Sequence, residues 1–197
     1  TAMKTLLLLP VTFALFALPT QTPTDAPRGE HDWTVDAGHS SVVFRVKHAN
    51  ASWFQGTFDK IEGTVTFDPA KPEATAVTLK IPVDSVDTND QKRDAHLKNK
   101  DFFNSKENPE ITFVSGKVAK KGEMLEVTGE LAMAGKSQTV TIPVEFTGTG
   151  EFYGKRAGFM TTFTVKRSDF GMTYGVGEKA LGDEVTLQIA LETVQAK

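Results

Sequence analysis

From His31 onward, apolar side chains recur at every second position, and that period leaves the chain few folds to choose from. A strand sends successive side chains to opposite faces, so alternation marks a sheet with one buried and one wet face. SVVFRVKHA, residues 41–49, sets Val42, Phe44, Val46 and His48 on one face, with Val43, Arg45 and Lys47 on the other. The period also runs through 31–36, 63–69, 74–83, 110–119, 124–133, 139–152, 157–167 and 182–194. Links in the second half are short and rich in Gly, Lys and Asn, as hairpin connections are, so the strands run antiparallel. Pro82 places an edge, or the end of hydrogen bonding, at the close of 74–83.

About eight substantial strands in a meander would leave two bare edges as an open sheet, and closing into a barrel removes both. An eight-stranded barrel is just wide enough to fill with side chains or to hold one ligand. The inward faces include Phe44, Leu79, Phe113, Leu131, Phe159 and Phe163. Fourteen Phe stand against 2 Tyr and 2 Trp. Phe has no polar handle and suits core packing or an apolar ligand equally, so periodicity leaves filled and hollow barrels both open.

The absence of cysteine excludes disulfides, thiol nucleophiles and Cys-based metal centres. A net charge of -3 with interspersed signs shows no basic stripe, which argues against a nucleic-acid partner. At the N-terminus, Lys4 precedes an uncharged run, Leu6 to Leu18, of signal-peptide length and too short to span a bilayer comfortably. Residues 1–28 are therefore expected to be a signal peptide and disordered leader, and 29–197 a single barrel domain. The protein would then be periplasmic or secreted.

Two segments depart from the period. SWFQGTFDKIEG, 52–63, reads as a short helix or irregular crossing. Asp87 to Phe103 reads as a helix of two to three turns capped by Asp87 or Thr88, with Arg93 and Leu97 on one face and an Asp94–Lys98 pair on another. It sets a charged cluster (Arg93, Asp94, His96) beside an apolar one (Leu97, Phe102, Phe103). Trp53 and Phe54 concentrate apolar area in the same way, so both segments could rim or plug a barrel mouth.

Catalytic and metal signatures are weak. The four histidines, His31, His39, His48 and His96, have no metal-ligand spacing. Asp36 and His39 could meet Asp94 and His96 through the fold, which would give a carboxylate–imidazole site. Ser40 and Ser41 lack the GxSxG context of an esterase nucleophile. Residues 148–158 read as a flexible Gly-rich hairpin tip, and KRSDFG, 166–171, as a turn held by an Arg167–Asp169 pair.

Taken in order, WTVDAGHSSVVFRVKH (33–48), GTFDKIEGTVTFDP (56–69), SVDTNDQKRDAHLKNKDFF (85–103), NPEITFVSG (108–116), VTGELAMAGKSQTVTIPV (127–144) and KRSDFG (166–171) resemble the YceI-like family. Arg93, Asp94, His96 and Leu97, and Arg167, Asp169, Phe170 and Gly171, match its motifs position by position. Ala132-Met133-Ala134 departs from the Thr–Ile pair more usual there. The resemblance implies an all-β, eight-stranded antiparallel, extended lipocalin-like β-barrel with a short helical insert. It also implies a non-enzymatic, exported binder of a long polyisoprenoid lipid, such as a ubiquinone or polyprenyl chain, with no covalent cofactor and no metal.

On this reading the isoprenoid contacts are Phe44, Val46, Trp53, Phe54, Leu79 and Leu97. Phe102, Phe103, Phe113, Met133, Phe159, Phe163 and Phe170 complete them. His39, Ser40, Arg93, Asp94, His96, Arg167 and Asp169 hold a polar head or tether the insert. Expected partners are the isoprenoid lipid, a second copy of the chain and, transiently, a membrane or membrane lipid donor. The alternatives are a metal-dependent or His/Asp-based enzyme, and a stress-related interaction protein with a filled barrel.

Overall fold

The computed structural model describes residues 29–177 and 179–196. The expected leader, 1–28, lies outside them. Among these residues the strands are β1 (Asp32–Val35), β2 (Ser41–His48), β3 (Ser52–Phe58), β4 (Glu62–Thr66), β5 (Ala76–Pro82) and β6 (Val86–Asp87). After the helix α1 (Gln91–Leu97) come β7 (Glu110–Lys121), β8 (Met124–Met133), β9 (Lys136–Glu151), β10 (Lys155–Lys166) and β11 (Leu181–Gln195).

The order β1-β4-β5-β7-β8-β9-β10-β11, with β11 returning to β1, closes an eight-stranded antiparallel ring. The extra strands come from breaks rather than from added layers. Thr193 to Gln195 of β11 pair with β1, while Leu181 to Ala190 of the same edge pair with β2. A 3-10 turn at Ala37–His39 separates those two pieces. β3 likewise continues the line of β4, pairing with β2 where β4 pairs with β1. The β9–β10 turn lies at one end of the barrel, and α1 at the other.

Residues 52–63 are therefore strand, not helix or crossing. Two residues disguise the period. Trp53 is apolar yet faces outward, 53% exposed. Gly56 stands at an inward position because a Cβ there would lie 2.4 Å from Cζ of Phe44. Pro82 takes the last place in the β5–β7 ladder, opposite Glu110, where its missing donor costs no further pairing.

The insert is also built differently from expectation. Its helix spans seven residues and is capped by Asp90, which accepts from Arg93 N at 2.9 Å. Asp87 instead closes a turn onto Asn89 N. No Asp94–Lys98 ion pair forms among the described residues. Asp94 accepts from Thr88 N and Oγ1, while Lys98 donates to the Asp84 carbonyl. The insert packs on the free edge of β3: Thr88 lies near Gly56, Arg93 covers Phe54, and the Phe103 ring meets Phe58 edge-on at 5.7 Å.

Candidate functional site

The inward faces do not fill the barrel. A cavity of about 150 Å³ runs through it, bordered by Phe159 and Leu191 near the β9–β10 end and by Met172 and Leu181 at the insert end. So small a volume stretched between such distant residues is a narrow bore. Drug-sized pockets hold roughly 300–1,000 Å³, so a ligand of that size, or a long chain, fits only if lining side chains rotate, while the apolar lining suits a slender chain. Past Phe159, the rings of Phe67 and Phe146 stack into a three-ring cluster with centroids 4.6–5.7 Å apart, closing that end.

The wall offers almost no free polarity. Thr75 and Thr161 turn their hydroxyls to the carbonyls of Pro72 and Pro143. Arg167, only 4% exposed, borders the insert end. It donates to the carbonyls of Gly182, Met172, Tyr174 and Leu181 at 2.7–3.0 Å. Burial lowers its pKa from the ordinary guanidinium value, and Asp183 opposes that shift. No Arg167–Asp169 pair forms among the described residues. Asp183 holds the turn by accepting from Ser168 N and Oγ, because the Arg167 fork is directed at backbone carbonyls instead. Asp169 is exposed, and its carbonyl accepts from Gln138.

Of the apolar residues named from sequence, Phe44, Val46, Leu79, Leu97 and Phe102 border the bore, as do Phe103, Phe113, Met133, Phe159 and Phe163. Three do not. Trp53 lies on the outer wall with Arg45 and Lys47 over its ring, because its register in β3 points outward. Phe54 is covered by the Arg93 guanidinium, 4.4 Å from its ring centroid. Phe170 is 2% exposed and packs into the turn after β10 rather than against the bore. Met172, Leu181 and Thr75 also border the bore, and no strand period could have shown them, since they sit in loops or at a strand's first residue.

The polar residues divide between the two ends. Arg93 donates from Nε and Nη2 to Thr88, so it ties the insert's entry. His96 pairs with Asp101 at 2.9 Å and meets Phe102 and Tyr174 edge-on. Neither approaches Asp36 or His39, which lie at the opposite end, so the converging carboxylate–imidazole site considered above is not assembled. His39 Nδ1 is 3.0 Å from Asp36, and Ser40 Oγ bridges Asp36 and Glu192 backbone groups. Arg156 donates to both Asp36 and Glu192, and its bond, followed by that of His39, holds the Asp36 carboxyl down at about 2. Asp36, His39 and Glu192 could converge on a cation, but Arg156 Nη1 already engages the two carboxylate oxygens such an ion would need. The roles of Arg156 and Glu192 depend on strand register, which gave no signal in the sequence.

A closed antiparallel barrel with an apolar bore and a helical insert is a lipocalin-like barrel. The YceI-like domain matches residues 33–193, and the chain belongs to that family. It is 38% identical over 178 residues to Protein YceI of Salmonella newport, covering 89% of this chain and 92% of that one. The crystal structure of Burkholderia cenocepacia BcnA superposes with a TM-score of 0.74 at 32% identity, covering 80% of this chain and 98% of BcnA. A polyisoprenoid binding domain from Saccharophagus degradans shares the fold, with a TM-score of 0.64 at 15% identity, over 83% of this chain and 98% of that domain.

Proposed function

We propose that the barrel binds a long-chain polyisoprenoid lipid, of ubiquinone or polyprenyl type, and carries or stores it outside the cytoplasm without catalysing a reaction. The observation that carries this reading is the narrow bore lined by apolar side chains, whose polar borders Thr75, Thr161 and Arg167 are hydrogen-bonded within the protein. An isoprenoid chain needs no polar anchor along its length, and each CH₂-sized group buried contributes about 0.8 kcal/mol. The solved domain from Saccharophagus degradans, described as polyisoprenoid binding, supports the same reading. It extends to a homodimer and to transient contact with a lipid-donating membrane.

Titration with an octaprenyl quinone, followed by fluorescence, tests this. Val77→Trp on β5 and Leu187→Trp on β11 each enlarge a half-buried side chain that lines the bore. Saturable binding by the native protein and its loss in both folded variants is the expected result. Undiminished binding in both would place the ligand elsewhere.

A further inference from the structure

The barrel wall is broken in two places on its insert half. One break, beside β3, is filled by the insert. The other lies between β9 and β10, which are paired over only part of their length among the described residues. The β9–β10 ladder runs from Glu151–Lys155 to Val144–Thr161 and stops. β9 nevertheless continues to Lys136 on its β8 side, and β10 to Lys166 on its β11 side. Residues 136–143 and 162–166 therefore face each other without a ladder among the described residues.

Pro143 stands where the pairing ends. Its carbonyl accepts from Thr161 Oγ1 at 2.6 Å, so that carbonyl points toward β10. The N–H and C=O of one strand residue point to the same neighbour, so the donor that proline lacks is the one β10 would need. The inward residues Val140, Phe163 and Val165 beside the break are half-buried, although Ile142 between them on β9 is 7% exposed and half-buried inward residues also occur on β11. The foot of the break is closed by the Arg167–Phe170 turn, to which Gln138 donates.

We infer that this seam is a lateral portal through which an apolar chain enters and leaves the bore sideways, an inference that rests on the lipid-binding reading above. End-on entry would draw the whole chain past the Phe67–Phe146–Phe159 cluster or past the buried Phe102 and Met172. Sideways entry needs only that two unpaired strand segments part.

Thr141 and Thr164 are exposed on opposite lips of the seam. The chain has no cysteine, so Thr141→Cys with Thr164→Cys can be bridged by a short bis-maleimide without side reactions. A bridged Glu151→Cys/Lys155→Cys pair, across a ladder already closed, is the control. A second variant, Pro143→Val, restores the missing donor without a cross-link. The readout is exchange of an octaprenyl quinone with phosphatidylcholine vesicles, together with the amount bound at equilibrium. Seam-bridged protein is expected to bind the same amount but exchange at least about tenfold more slowly than the control, with Pro143→Val slowed in the same direction. Equal exchange with equal binding in all forms would overturn the portal alone. Failure of the native protein to bind the quinone would overturn the lipid-binding reading and the portal with it.

Discussion

Replacing Arg167 by Met tests how the insert end of the bore is held. The side chain makes four hydrogen bonds, to carbonyls of Met172 and Tyr174 on the crossing from β10 to β11 and of Leu181 and Gly182 at the start of β11. Hydrogen bonds from a charged donor contribute roughly 1.5–3 kcal/mol each, about 6–12 kcal/mol in all. Against this stands the cost of burying a guanidinium, several kcal/mol, which Met abolishes. Water also reaches some of the freed carbonyls, since Tyr174 is 52% exposed. The net expectation is a loss of roughly 2–4 kcal/mol, a fall in Tm of about 5–15 °C. Urea unfolding, with an unchanged slope as the condition for comparison, measures it. Arg167→Lys should recover less than half, because an ammonium cannot span carbonyls arranged for a planar fork. An Arg167→Met protein within about 0.5 kcal/mol of the native one would refute the reasoning, by showing that desolvation cancels the four bonds.

Gly63 has φ +155, and a Cβ there would lie 2.1 Å from the Thr78 carbonyl oxygen. Gly63→Ala should therefore cost about 3 kcal/mol or more in urea unfolding, because backbone must move. Asp94→Ala removes the acceptor of the buried Thr88 N–H and hydroxyl, and should destabilise the protein by about 1–3 kcal/mol with faster amide exchange confined to the insert. Asp36 has its pKa lowered from 3.8 to about 2, so its stabilising contribution is complete above pH 3.8 and lost as pH falls through about 2. Asp36→Asn should flatten that part of the acid-unfolding curve followed by circular dichroism, and an unchanged acid limb would contradict the assignment.

Strand existence was legible because burial on one side imposes the period directly, as in β2 and β8. Ring closure was legible as the remedy for bare edges. β3 was hidden, because Gly56 is set by the approach of the Phe44 ring, a contact across strands. The direction of Trp53 was misread for the same reason: in a segment taken as a crossing, no face could be assigned to it. Charged residues were the least legible. In sequence Arg167 reads as the partner of Asp169 and Arg93 as a tether or head-group contact, yet both are directed at nearby backbone, and the Asp36–Arg156–Glu192 cluster exists only through strand register. Whether the barrel was hollow depended on summed side-chain volumes that no period encodes.

Mass spectrometry of an organic extract from protein purified without detergent most directly tests the claim that the bore holds an isoprenoid chain. The expected result is one polyisoprenoid lipid of defined length in near-stoichiometric amount, absent from the Leu187→Trp variant. Native protein that carries no isoprenoid and takes none up from quinone-containing vesicles would contradict it.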